Sequence, residues 1–447
     1  MSSKLGSVRA LLLGVVALSA LDLSDRAMAQ QAVALTLWQQ ASTPAHEAVL
    51  KQQLEVCSAQ QPNVKVGLQS VGLDVMYPRL ATSLRDRRPP NIIITVESVV
   101  AFLHDKKSLV AVDDVIDGHG RADFIPAFLQ AVSAGGKTWA VPDWALHHAV
   151  WYRKDLLAQA GIQSTPKTWA ELEAMAAKLT IDKDGDGKPD QFGFAVPWGA
   201  KFFAAQQSLF DALYAEGITV VDPKGGSYSF AGRKADAVQS LDYMMKMHKA
   251  FSPPASIDWT LLEIRTALMN GQIAAGAEWG GVVKFVEQQR PELLDQLSVF
   301  PFPGRDGPAK ASLGGGFYMM IGAAPEAEVA ASKKLVACLM QPSEVARRAN
   351  SRAIFALPAI NSAYDSEAFK SDPINVRFAK EIETIRRDVI NRWYRYGLEA
   401  GLNPVSSIME STSVINESMQ KVALGRQTSV QAIDELDQFM KSSLDRR

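Results

Sequence analysis

Between residues 33 and 96 the sequence spells strand, helix, strand, helix, strand, and that order leaves few folds open. Val33-Ala-Leu-Thr-Leu-Trp38 reads as a strand entering a core. Thr43-Pro44 then has the form of a helix start. Threonine can cap the first free N–H groups, and proline's fixed φ suits a first turn that needs no donor. Val49, Leu50, Leu54 and Cys57 fall on one broad face of that helix. Pro62-Asn63 ends it, and Val64, Val66 and Leu68 alternate as a second strand. Leu73 to Arg85 predicts a second helix, with Tyr77, Leu80 and Leu84 along one side and Pro89-Pro90 beyond its end. Asn91-Ile-Ile-Ile-Thr-Val96 is apolar without alternation, as in a strand covered on both faces. Strands separated by helices make a parallel sheet through right-handed crossovers. Ligands of such sheets gather outside the carboxyl ends of the strands, here Trp38-Gln39-Gln40 and Glu97-Ser98.

The next informative stretch is Lys137 to Gly161. A short apolar run, Trp139-Ala-Val-Pro142, leads through Asp143-Trp144-Ala-Leu-His147-His148 into a second run, Ala149-Val-Trp-Tyr152. Two buried-type strands joined without a turn signal suggest a chain crossing from one domain to another. Pockets favour domain interfaces, so the Trp and His residues of this crossing are candidates for a ligand site. With 447 residues the chain has room for two or three domains. A net charge of -1 gives no reason to expect nucleic acid or an anionic membrane surface as partner.

The N-terminus has the pattern of an export signal. Lys4 and Arg9 precede an apolar core from Ala10 to Leu21, and Ala27-Met28-Ala29 offers small residues for cleavage. That core is shorter than the ~20 residues a membrane helix needs. The expectation is a signal peptide over 1–29, cut near Ala29, and a soluble periplasmic protein from about Gln30 onward. The two cysteines, Cys57 and Cys338, lie too far apart to be a disulfide framework. Buried free thiols are the expectation, with one long-range disulfide as the alternative.

Thr168 and Glu171 predict a capped helix with Leu172, Met175, Ala176 and Leu179 on its buried side. Asp182, Asp184, Asp186 and Gly187, with Asp190 close by, match the first half of a calcium loop, but its twelfth position is Gly193, where a bidentate Glu belongs. A structural turn is the expectation and a structural Ca2+ site the alternative; no other metal or cofactor is expected. Gly193 to Gly199, Gln272 to Gly280, Leu297 to Phe302 and Gly314 to Ile321 read as further strands, several ending at a Trp. Gly314-Gly315-Gly316 permits close approach of another group, but no phosphate-loop Lys-Ser follows it. Arg392-Trp393-Tyr394-Arg395-Tyr396 is an aromatic–basic cluster near two final helices.

Several phrases, taken in order, resemble the extracellular solute-binding proteins of ABC importers, in the branch of the maltose and glycerol-3-phosphate binders. Tyr77-Pro-Arg-Leu with Pro89-Pro90-Asn91 resembles the family's helix followed by "PPD". Val141-Pro142 through Trp151-Tyr152-Arg153-Lys154-Asp155-Leu156 resembles "GVP…LYYNKDLF", and Pro166-Lys-Thr-Trp-Ala-Glu171-Leu resembles "PKTWDEL". Asp184-Gly-Asp-Gly187 to Gly193-Phe resembles "DGDGKxDxYGF"; Asn270-Gly271 with Trp279, and Gly425 to Ala432, resemble two later signatures. The resemblance implies a two-lobe α/β fold with three hinge crossovers and a ligand cleft between the lobes. It places the hinges near Ala145–His148, Ala277–Trp279 and Gly315–Phe317. The N-terminal lobe would then take 30–145 and 278–316, the other lobe 146–277 and 317–447.

A sugar cleft needs aromatic faces for the ring and carboxylates, amides or imidazoles for its hydroxyls. The candidates of this kind are Trp38, Gln40, Tyr77, Glu97, Trp144, His147, Trp198 and Trp279, with Gly315 giving backbone access. Tyr77, Glu97 and Gly315 fall on or beside binding positions of the glycerol-phosphate branch. That branch's serines are replaced by Ala145, Leu146, Trp279 and Gly280, and its late Arg maps near Glu399, so an uncharged or weakly charged carbohydrate, from mono- to oligosaccharide, is favoured over a phosphorylated polyol. The expected partner is an importer permease, and the expected state a monomer. Removing Trp279 or Glu97 is expected to weaken binding with little change in fold. The other class in view is an exported glycoside hydrolase with Glu97 and Asp143 as its carboxylates. No G-x-S-x-G or H-E-x-x-H motif is present, and a binder rather than an enzyme is the expectation.

Overall fold

A computed structural model describes residues 32–445, Gly225 and Ser411 excepted. The expected signal peptide at 1–29 lies outside the described residues. The opening elements are β1 (Val33–Gln40), α1 (Pro44–Ala59), β2 (Val64–Val71), α2 (Leu73–Arg85) and β3 (Ile92–Val96). Thr43 caps α1 as its sequence implies, its Oγ1 accepting the His46 N–H at 3.3 Å. β1 pairs in parallel with β2 on one side and β3 on the other. All five residues of β3 are buried, which is why its sequence runs apolar without alternation. α3 (Glu97–Asp105) starts directly at the end of β3, so Glu97 stands at the carboxyl edge of the sheet.

β4 (Val141–His147) and β5 (Ala149–Arg153) are separated only by His148, yet they belong to different sheets. The elements that follow and matter for the site are α4 (Trp169–Leu179), α5 (Ala204–Ala215), β6 (Ala275–Glu278), β7 (Leu297–Phe300), β8 (Ser312–Ile321), α6 (Glu326–Leu339), β9 (Ala356–Pro358), β10 (Trp393–Tyr394), α7 (Val405–Glu410) and α8 (Val414–Ala423). The first sheet runs β9-β4-β8-β3-β1-β2, with β10 alongside β8. β8 is antiparallel to both β3 and β4. The second sheet is antiparallel, in the order β6-β5-β7.

The chain passes between the sheets at His148, as expected from Ala145–His148. The other two expected hinges fall elsewhere. β6 and β7 share the second sheet, so there is no change of sheet at Ala277–Trp279. Gly315–Phe317 lie inside β8, a ten-residue strand buried throughout; the change of sheet comes before it, between Phe300 and Ser312. The chain returns after β10, and α8 then packs on α5. In strand order β7 belongs to the second sheet and β9 to the first, and α6 packs on α1 and β1. The expected strand at 193–199 forms only isolated bridges, Phe192 to Ile273 and Ala195 to Gly276. At α4, Thr168 Oγ1 accepts the Glu171 N–H at 3.2 Å, while Glu171 Oε2 takes the Lys167 N–H at 2.6 Å. The reciprocal bond is thus one residue earlier than a capping box would have it.

Close packing explains the triple glycine. A Cβ on Gly314 would lie 2.1 Å from Trp393 Cδ1, because β10 runs beside β8 there. The expectation of two free thiols is overturned. Cys57 on α1 and Cys338 on α6 form a disulfide with their Cα atoms 5.8 Å apart. α6 packs against both α1 and β1, which brings together residues 281 positions apart in sequence. Closing so long a loop restricts the unfolded chain. Reduction, or the paired change Cys57→Ser/Cys338→Ser, is expected to remove about 2–5 kcal/mol of stability. A urea titration of oxidised and reduced protein checks this; coincident curves would show that the bond contributes nothing.

Candidate functional site

A cavity of about 980 Å3 opens between the two halves. One wall is α2 and α3, with Asp74, Tyr77, Phe102 and Lys106. The facing wall is formed by the turn before α5, with Lys201 and Phe203, and by α7 and the start of α8, with Ser407, Glu410, Ser413 and Asn416. Tyr77 and Phe102 meet edge to face at 5.4 Å, and the Tyr77 hydroxyl donates to Ser98 Oγ at 2.8 Å. Phe203 takes a left-handed backbone, φ 58°. Such a conformation costs a non-glycine residue roughly 1–3 kcal/mol and persists where the surroundings hold it.

Behind Tyr77 lies a buried charge cluster. Glu97 is fully buried, its Oε2 accepting the Gly316 N–H at 2.7 Å. Its Oε1 lies 2.7 Å from Arg395 Nε, and Arg395 Nη2 also pairs with Glu410 on α7. The Arg395 guanidinium stands over the Trp279 ring at 5.5 Å and the Tyr396 ring at 4.5 Å. Gly315 closes the cluster: a Cβ there would lie 3.5 Å from Glu97 Oε1 and 3.6 Å from Trp279 Cζ3. Burial pushes the Glu97 carboxyl up to about 7, against the pull of Arg395. Two carboxylates around one guanidinium leave no net positive charge. Glu399 is also buried, its Oε2 accepting the N–H groups of Arg395 and Gly397 at 3.1 Å each, and burial pushes it up to about 7. The basic residue of this segment is therefore Arg395, four positions before Glu399.

The structure thus brings Tyr77, Glu97, Trp279 and Gly315 together, with Tyr77 on the cavity wall and the others behind it. The remaining candidates lie elsewhere. Trp144 is buried between His46 and Phe317, at 4.7 and 5.0 Å. Trp198 is fully buried, edge-on to His248. His147 is fully buried, with a position 2.7 Å from its Nε2 left open by Gly280. Trp38 faces a separate groove beneath the Arg79 guanidinium, and Gln40 Oε1 accepts the Thr95 hydroxyl at 2.7 Å. Asp143, the second carboxylate of the hydrolase alternative, is fully buried and clamped by Arg348 Nη2 at 2.7 Å. Sequence reasoning missed Phe102, Phe203 and Glu410, which no motif marks, and passed over Arg395 although its aromatic–basic cluster stood out.

In the 182–190 loop, Asp182, Asp184 and Asp190 are exposed and hold carboxylate oxygens within 4.8 Å of one another. Each also accepts a backbone N–H within the loop: Asp182 from Gly185 and Gly187, Asp184 from Asp186, Asp190 from Lys183. Asp186 does the same for Lys188. The twelfth position cannot carry a glutamate, since a Cβ on Gly193 would lie 2.0 Å from the Ala176 carbonyl oxygen.

The charge cluster changes what loss of Glu97 should do. Glu97→Ala leaves Arg395 buried with Glu410 alone and is expected to cost roughly 3 kcal/mol, so the fold itself weakens; the urea midpoint at pH 7 measures it. For Glu399, a folded-state value near 7 against an ordinary 4.5 means the folded form holds its proton more tightly. Stability is then lost as pH rises from 4.5 to 7. Glu399→Gln is expected to remove its share of that slope and raise the midpoint at pH 8, checked by titrations across this window.

Residues 52–377 match the family of bacterial extracellular solute-binding proteins. A periplasmic-binding protein assigned to an ABC transporter of Escherichia coli K12 is 28% identical over 230 residues, 50% of each chain. A mannitol-binding protein of Pseudomonas aeruginosa PAO1 is 22% identical over 288 residues, 62% of each chain. The match thus spans about half the length of the first of these relatives. Among solved structures, a solute-binding protein of Thermotoga lettingae bound to tagatose superposes with a TM-score of 0.72 at 19% identity, covering 92% of this chain and 99% of that one. The maltose-bound MalE3 of T. maritima gives a TM-score of 0.72 at 21% identity over the same shares. These likenesses show the two-lobe fold with a cleft between the lobes. Because the family match covers most of the sequence, the chain belongs to the bacterial extracellular solute-binding proteins.

Proposed function

We propose that this protein is the exported binding subunit of an ABC importer, which closes its two lobes around a neutral carbohydrate and delivers it to a membrane permease. Support comes from the cavity between the halves. Tyr77, Phe102 and Phe203 offer aromatic surfaces for the C–H faces of a sugar, and Ser407, Glu410 and Asn416 offer partners for its hydroxyls. The absence of net positive charge around Arg395 disfavours a phosphorylated polyol. The mannitol, tagatose and maltose named for the relatives are ligands of the same chemical kind. Among the described residues no helix is long and apolar enough to cross a membrane, which fits a partner that carries the channel. Closure follows from differential affinity: contacts to both walls stabilise the closed form, and only that difference shifts the equilibrium. In this scheme the chain performs no chemical step, and the 182–190 loop serves as a self-bonded turn.

A thermal-shift screen against mono-, di- and oligosaccharides, polyols and glycerol phosphates tests the proposal. A ligand at about 100 times its Kd adds roughly 2.7 kcal/mol, a shift of several degrees. A neutral carbohydrate is expected to raise the midpoint, and Tyr77→Ala to weaken that ligand roughly ten-fold, about 1.4 kcal/mol. A response to glycerol phosphates alone would replace the ligand class, and no response across the panel would overturn carbohydrate binding.

A further inference from the structure

One buried hydrogen-bonded pair is not used by the cavity or by the charge cluster. His148, the single residue between β4 and β5, donates from Nδ1 to both oxygens of Asp211, at 2.8 and 2.9 Å. Both side chains are almost wholly buried. Such a buried polar pair is weak evidence for stability, because apolar residues of similar volume often serve as well. Its surroundings suggest orientation instead. The His148 ring meets the Trp279 ring at 4.8 Å and 63°. Trp279 Nε1 donates to Gln207 Oε1 at 3.0 Å. Gln207 and Asp211 are four residues apart on α5, so one face of one helix presents both. The Arg395 guanidinium stands 5.5 Å from the centre of the same ring, and a Cβ on Gly315 would lie 3.6 Å from its Cζ3.

We propose that Asp211, His148 and Gln207 form a positioning set that fixes the Trp279 indole beneath Arg395, and so holds the charge cluster behind the cavity wall in register with the crossing between the two sheets. Asp211 fixes the rotation of the His148 ring by accepting its Nδ1–H. The fixed ring bears on the indole from one side, and Gln207 anchors the indole N–H from another. Trp279 therefore keeps one orientation while the His148 N–H, bonded to Leu313 O at 3.0 Å, ties the same residue to β8. The role assigned to the indole rests on the proposed ligand cleft, but its fixed orientation does not.

The test is ligand-free 19F NMR of the full chain labelled with 5-fluorotryptophan. The sequence has nine tryptophans, and Trp279→Phe assigns the resonance of this one. Asp211→Leu leaves no unpaired buried carboxylate. It is expected to shift or split the Trp279 line by more than its width while the other lines stay in place. Asp211→Asn, which keeps an acceptor for Nδ1–H, is expected to return the line towards its wild-type position. Gln207→Leu is expected to move the same line independently. An unmoved Trp279 line in both leucine variants overturns the proposal. If Asp211→Leu displaces every line together through unfolding, Gln207→Leu decides: movement of the Trp279 line alone supports the set, and no movement overturns it. Because no sugar enters the experiment, a failed carbohydrate screen leaves its outcome readable.

Discussion

A guanidinium removed from water must be met by charge, and Arg395 is met twice, by Glu97 from the end of β3 and by Glu410 from α7. Desolvation penalises all three groups, so their geometry cannot be loose. Glu97 reaches Arg395 because α3 begins at the carboxyl end of a parallel strand, and its second oxygen is occupied by the backbone of β8. Glu410 reaches it because α7 packs on α3. The cluster therefore joins elements separated by more than three hundred residues of sequence, and the two facing walls of the cavity, one carrying Tyr77 and the other Glu410, both rest on it.

The opening β-α-β-α-β segment was legible in the sequence because each element writes its burial into its pattern. β3 is covered on both faces and reads as unbroken Ile and Val; Thr43-Pro44 carries its own capping chemistry. The first passage between sheets was legible for a related reason, since two apolar runs meet at His147-His148 without any turn-forming residue. The later passages were not. β8 is one buried strand of ten residues, and nothing in Gly314-Gly315-Gly316 tells a hinge from the flat space that Trp393 requires.

The site was legible only in part. Glu97 could be found by its place at a strand end, and Tyr77 and Gly315 by family resemblance. Tryptophan content misled, because Trp144 and Trp198 are as suited to a lobe interior as to a sugar face, and residue type alone does not choose between them. Glu410 and Phe203 carry no motif. Their role comes from tertiary placement: α7 turned towards α3, and a left-handed Phe203 opening α5. Arg395 was visible as part of a basic–aromatic cluster, but neither Glu97, far away in the chain, nor Glu410, 15 residues on, could be inferred from spacing.

The bond between Cys57 and Cys338 has a consequence for what a protease could do to the molecule. It makes the stretch between them a covalently closed ring of chain 281 positions around. A single cut at any exposed turn within that ring, such as the polar loop from Asp182 to Asp190, opens the ring without releasing a fragment. Both new ends stay tethered through the sulfur bridge, on top of whatever the two sheets hold by themselves. Damage that would halve an uncrosslinked polypeptide leaves this one a single covalent body.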